Sequence, residues 1–182
     1  DLPVICSMAF EENGRTLTGT DPYIVVKVLK SLGADMIGVN CSFGPEHMLG
    51  IVKEISRAGG TFLSVKPNAG LPEVINGEIT YKASPESFAK LTHEFVSLGA
   101  RLIGGCCGNT PEFIRAIKDE INKINNTSLP GNLPEAHDTL IGERPFITSL
   151  TRAVEVGDPG NLKISRLVSI KGSKFLLKNK ND

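Results

Sequence analysis

The sequence predicts an α/β fold, a parallel sheet with helices packed outside it, made of four β/α units. Three observations carry this. Short apolar, β-branched runs alternate with stretches whose apolar residues recur at helical spacing, and such alternation requires parallel strands joined by crossover helices. Residues 31–55 (SLGADMIGVNCSFGPEHMLGIVKEI) match residues 97–121 (SLGARLIGGCCGNTPEFIRAIKDEI) at 12 of 25 positions without a gap, at an offset of 66. In both copies a cysteine stands just past the strand and four residues before a helix-opening proline. Two units of roughly 33 residues fill the offset, so eight would need about 264, close to the ~250 of a TIM (β/α)8 barrel, and four are half of one. A flavodoxin-like open sheet competes, but no glycine-rich dinucleotide loop follows a strand, and the candidate site residues recur at the ends of alternate strands.

The elements follow in order. LPVICSM, residues 2–8, is a buried strand leading into the polar, glycine-containing EENGRTLTGTDP. Asp21 and Pro22 occupy the N-cap and first turn of a helix that places Ile24, Val25, Val28, Leu29 and Leu32 on one face and stops at Gly33. MIGVN, 36–40, is the second strand. The second helix opens at Pro45, carries Met48, Leu49, Val52 and Ile55, and ends at Gly59-Gly60, before the strand TFLSVKP. NAGLPEVINGEITYKAS reads as a longer loop. A third helix runs from Ser84-Pro85-Glu86 to Gly99, the strand RLIGG follows, and Thr110-Pro111-Glu112 opens a fourth helix reaching about Asn125. The chain thus divides into 1–125, the β/α units, and 126–182, a linker rich in Asn, Pro and Gly followed by a basic, loosely ordered tail in which FITSLTRAVEV has strand-like alternation. Asp1 is not a methionine and a strand begins almost at once, so the chain is expected to start in mid-fold.

Composition narrows the function. At 182 residues, 40% hydrophobic and 22% charged, the chain can bury a core, and 20 basic residues balance 20 acidic ones. No global field favours nucleic acid or an anionic membrane. No apolar run approaches the ~20 residues of a membrane span, and the first residues lack a signal-peptide pattern, so a soluble cytoplasmic protein is expected. Cys6, Cys41, Cys106 and Cys107 are too few and too unevenly placed for a disulfide scaffold, which favours metal or thiol chemistry.

Cys41 and Cys107 sit where a β/α barrel has its catalytic face. Cys106 is adjacent, and Gly104, Gly105 and Gly108 let the backbone bend so that three sulfurs can converge on one ion. Thiolates are soft ligands that suit zinc, and three protein ligands leave a fourth position for a substrate thiol, whose proton coordination removes.

NCSFGPEHML, PNAGLPE and GGCCGNTPE, within residues 1–125, resemble the homocysteine S-methyltransferase domain found in cobalamin-dependent methionine synthases and their bifunctional bacterial relatives. The resemblance implies a TIM barrel of which this is the C-terminal half, with Cys41, Cys106 and Cys107 as zinc ligands. It also implies homocysteine as methyl acceptor and methionine as product. The donor is then methylcobalamin charged by methyltetrahydrofolate, held on another domain or chain; S-methylmethionine or betaine are the alternatives within the class. GERPFITSLTRAVEVG resembles the segment after this barrel in multidomain members. The family's first four β/α units are absent, so zinc binding carries over more safely than turnover, and a missing N-terminal half barrel or self-association is expected. Lys66 and Asn109 stand where related sequences often have glutamine and threonine.

The remaining candidates have blander readings. Cys6 alternates with Val4 and Met8 and reads as a packing residue, not a fourth ligand. Asn68 could lend its amide oxygen to the metal or orient the substrate, or simply form a turn beside Gly70. Glu46 and Glu112 read as first-turn acids, Glu73 is a lone loop acid, and His47, His93 and His137 have no partner at ligand spacing. Two other classes stay open: a non-catalytic zinc-binding half-barrel that needs a partner chain, exposing two sheet edges, and, ranked last, a thiol redox protein using Cys106-Cys107 without a CxxC motif.

Overall fold

The computed structural model describes residues 2–60, 62–126, 146–148, 151 and 153–155. In chain order the elements are β1 (Ile5–Met8), α1 (Pro22–Ser31), β2 (Met36–Asn40), α2 (Pro45–Arg57), β3 (Leu63–Lys66), β4 (Pro72–Ile75), β5 (Glu78–Tyr81), α3 (Pro85–Lys90), α4 (Thr92–Ser97), β6 (Ala100–Ile103), α5 (Pro111–Asn126), β7 (Phe146–Thr148) and β8 (Ala153–Glu155). Strands β1, β2, β3 and β6 form one sheet in that order, all parallel. The order follows the chain without reversal, so this sheet lacks the switch point at which a doubly wound fold binds its ligand.

The expected alternation of β and α with a parallel sheet is therefore present, and local chemistry explains the starts of the helices. Asp21 accepts a hydrogen bond from the Ile24 amide (2.9 Å) ahead of Pro22, and Ser84 and Ser87 form a reciprocal capping box ahead of α3. Glu46 and Glu112 lie in the first turns of α2 and α5, where an acid meets the positive end of the helix dipole.

Register separates the two faces of the sheet. Ile37 pairs with Leu63 and Val39 with Val65. All four are buried with Val25 and Val26 of α1, Met48, Val52 and Ile55 of α2, and Phe95 of α4 in the main core. Full burial of one such side chain contributes about 1.5–3 kcal/mol. Cys6 is in register with Ile37, on this helix-covered side. The opposite face carries the row Ser7, Gly38, Ser64, Leu102 and, nearer the strand ends, Asn40 and Lys66.

Two expectations need correction. The helix predicted from Ser84 to Gly99 is two short helices broken at Leu91, whose amide bonds back only three residues, to Phe88 (3.2 Å). A straight helix would point Phe88 and Phe95, seven residues apart, the same way. The break sends Phe95 into the main core while Phe88 meets Phe113 edge-on (5.9 Å between centroids) in a second cluster with Ala69 and Ile117. The segment read as a long loop contains the antiparallel hairpin β4–β5. Its turn residues, Asn76 (φ 53) and Gly77 (φ 83), are both left-handed, as a type I′ turn requires. In the C-terminal region β7 and β8 also pair as a hairpin, within the stretch read as strand-like. The expected linker and basic tail otherwise fall outside the described residues.

Candidate metal centre

Strand β2 ends at Asn40, and the chain turns at once. Cys41 (φ 63) and Ser42 (φ 64) both adopt the left-handed region, which costs a non-glycine residue about 1–2 kcal/mol each. The turn is pinned on both sides. The Cys41 amide donates to the Lys66 carbonyl (3.0 Å), the Phe43 amide to the Cys41 carbonyl (2.8 Å), and the Asn68 amide to the Phe43 carbonyl (2.8 Å). Phe43 enters the main core, and its burial offsets much of the backbone cost.

Two strands away, beyond β6, the Cys106 amide donates to the Pro67 carbonyl (2.8 Å) and the Ala69 amide to the Cys107 carbonyl (2.9 Å). Asn68, 4% exposed, accepts from the Cys107 amide through Oδ1 (3.1 Å). The loop after β3 thus lies between the two cysteine turns and ties them together. The result is three thiols in one place: Cys41 Sγ is 3.7 Å from Cys107 Sγ, Cys107 Sγ is 3.9 Å from Cys106 Sγ, and all three lie within 4.8 Å of one another.

This donor set fits zinc. With Zn–S bonds of about 2.3 Å, tetrahedral ligands stand about 3.8 Å apart, the separation of the two closer sulfur pairs. Three thiols this close cannot all ionise without a cation, and their acidities diverge accordingly. Cys41 is held below the usual thiol range, first by the Ser42 backbone N–H, against some desolvation, with further hydrogen bonds from Cys107, Cys106 and Asn68. Cys107 is pushed up by its hydrogen bonds to Cys41 and Cys106 and by their negative charge.

The other candidates lie elsewhere. Among the described residues no histidine, aspartate or glutamate joins the cluster, and neither does Cys6. Glu73 pairs with Lys82 across the hairpin. His47 lies beside the Phe43 ring (5.9 Å), His93 is exposed on α4, and His137 is outside the described residues. A cavity of ≈ 260 Å³ lined by Glu11, Glu12, Phe43, His47, Ile51 and Glu54 does not include the cysteines. Asn68 does belong to the cluster, with its oxygen engaged by the Cys107 amide.

One site residue escaped the sequence reading. Tyr81, at the end of β5, lays its ring on Gly108, so closely that a Cβ at Gly108 would sit 2.3 Å from Tyr81 Cγ. Desolvation, then the charge of Cys107 and a hydrogen bond to it, push the Tyr81 hydroxyl up. Asn-Gly between EVI and EIT was the available signal, since it marks a hairpin that brings the chain back toward the site.

A family profile described as Homocysteine S-methyltransferase matches residues 1–121. The methionine synthase of Mycobacterium leprae is 32% identical over 175 residues, 95% of this chain, and that of Mycobacterium tuberculosis is 31% identical over the same length. The chain spans 14% of the length of each. Among solved structures, the homocysteine methyltransferase MmuM from Escherichia coli, in its metallated form, is similar with a TM-score of 0.50 and 27% identity, covering 64% of this chain and 35% of that one. No helix among the described residues is long and apolar enough to cross a membrane. With a profile matched along two thirds of its length, the chain belongs to the homocysteine S-methyltransferase family.

Proposed function

We propose that this chain carries the thiol-activating site of a homocysteine S-methyltransferase, with Cys41, Cys106 and Cys107 as the three protein ligands of one zinc ion. The observation that carries this reading is the convergence of the three sulfurs, 3.7 and 3.9 Å apart, at the carboxyl ends of parallel strands. Zinc held there would supply a Lewis acid with a fourth position open to the homocysteine thiol. The protein's own groups prepare the place. The Ser42 amide and the Asn68 side chain hold negative charge at Cys41, and the Asn68 oxygen orients the Cys107 amide.

The reaction in this reading moves a methyl group from a donor to the homocysteine sulfur and yields methionine. Methylcobalamin charged by methyltetrahydrofolate is the donor, on another domain or chain. The methionine synthase relatives support methionine as the product, and the 14% of their length spanned here is in keeping with a donor held elsewhere. The four parallel strands, wound in chain order, support a further part of the proposal: residues 1–125 are the C-terminal half of a (β/α)8 barrel and 126–182 a linker and tail. Metal analysis tests the centre. About one zinc per chain is expected, lost in Cys41→Ser, Cys106→Ser and Cys107→Ser and kept in Cys6→Ser. X-ray absorption should then record a change from three to four sulfurs on adding homocysteine; an unchanged shell at saturation sinks the activation step.

A second reading, a non-catalytic zinc-binding half-barrel that needs a partner chain, has its own support. Strands β1 and β6 end the sheet with one edge unpaired among the described residues. Ile5 (47%) and Leu102 (36%) are exposed on the face away from the helices. A zinc-loaded chain that makes methionine from homocysteine and methylcobalamin unaided would dispose of this reading.

A further inference from the structure

Cys106 and Cys107 open a turn after β6, in which the Asn109 amide donates to the Cys106 carbonyl (3.3 Å), and both sulfurs gather with that of Cys41. Something must fix the two peptide planes. The Asn109 Nδ2 lies 3.0 Å from the Pro67 carbonyl oxygen and 3.4 Å from each of the carbonyl oxygens of Cys106 and Cys107. A carboxamide has two N–H bonds. One donates to Pro67, and the other is shared between the two cysteine carbonyls.

The rest of the side chain is fitted just as closely. It lies on Gly105, where a Cβ would come 2.3 Å from Asn109 Cγ, and its Oδ1 is buried with no hydrogen-bond partner. An amide that leaves its own oxygen unpaired is costly to bury, so its placement reflects what the nitrogen does. The Pro67 carbonyl accepts from both Asn109 and the Cys106 amide, and the Cys107 carbonyl from both Asn109 and the Ala69 amide. Asn109 thus sits at the junction of the cysteine loop and the loop after β3, which Asn68 also ties through the Cys107 amide.

We infer that Asn109 is a positioning residue of the metal centre, its carboxamide fixing the Cys106 and Cys107 peptides so that both sulfurs face Cys41 before a metal arrives. The inference rests on the zinc reading above. Outer groups that orient metal ligands typically contribute 10–100-fold to metal affinity.

Chelator-competition titrations with zinc, and with cobalt to follow its sulfur charge-transfer band, test it on the purified chain. Asn109→Asp keeps the shape over Gly105 but has no N–H to donate, so zinc affinity should fall about 10–100-fold and the cobalt charge-transfer band should weaken or shift. Zinc bound as tightly by Asn109→Asp as by the wild type overturns the positioning role and leaves a space-filling one. Asn109→Ala carries the test if the aspartate variant does not fold, and wild-type affinity there is equally fatal. Cys107→Ser is the control, expected to lose the metal; if it binds as the wild type does, the zinc reading itself fails.

Discussion

The two cysteine turns stand 66 residues apart in matching segments, and they are built by opposite means. After β2 the cysteine itself is left-handed, as is Ser42, and no glycine relieves either. After β6 the left-handed step falls on Gly108 (φ 75), one residue past the cysteines, and Tyr81 covers it. The first turn accepts backbone strain and is anchored by a buried phenylalanine; the second avoids strain and is held by side-chain amides. A shared frame of strand, proline and helix therefore carries two different site loops. One delivers one sulfur and the other two, which is how a two-fold repeat brings three sulfurs together.

The largest expected effect tests whether the two turns share one ion. Zinc contributes about 10–16 kcal/mol to a small structural site, and a third of that, about 3–5 kcal/mol, is at least a hundredfold in affinity. Cys41→Ser and Cys107→Ser should each lose that much in chelator competition. Loss in only one of them would mean that the turns do not share a metal.

Next come two substitutions of opposite sign, one per turn. Gly108→Ala must place a side chain in a left-handed position against the Tyr81 ring and should destabilise the metal-free chain by about 2–4 kcal/mol in urea unfolding. Ser42→Gly relieves strain instead. Its gain, about 1–2 kcal/mol, is partly cancelled by the flexibility glycine adds to the unfolded chain, leaving a net stabilisation of up to about 1 kcal/mol. A destabilised Ser42→Gly would mean that the strain at this turn is not real.

These contrasts also mark how far the residues alone could be read. Alternation, prolines and caps located β2 to the residue and the starts of α1, α2, α3 and α5, because those signals are local. Cys41, Cys106 and Cys107 were legible because the repeat fixed where two strands end. The break at Leu91 was not, since it answers to two separate clusters that claim Phe88 and Phe95. Tyr81 and the stapling roles of Asn68 and Asn109 depend on which loops lie side by side. The Asn68 oxygen, read from the sequence as a metal donor, a substrate-orienting group or part of a turn, meets the Cys107 amide, a contact between residues 39 apart that no spacing announces.

The smallest effect separates charge from exposure. Cys107 is exposed and Cys41 only partly so, so accessibility alone predicts that an alkylating reagent modifies Cys107 first. Only the thiolate reacts, however. The Ser42 amide holds Cys41 below the usual thiol range, while the neighbouring sulfurs hold Cys107 above it. Below the ordinary thiol pKa of about 8.5, Cys41 is therefore the more ionised of the two. In the metal-free chain at about pH 6.5, two units below that value, iodoacetamide should label Cys41 a few-fold faster than Cys107. As the pH passes the usual thiol range Cys107 ionises as well, its exposure begins to count, and the ratio should fall toward or below one. Peptide mass analysis of briefly labelled samples gives both rates. If Cys107 leads at both ends of the range, accessibility governs, and the left-handed turn at Cys41 and Ser42 does not hold charge at its sulfur.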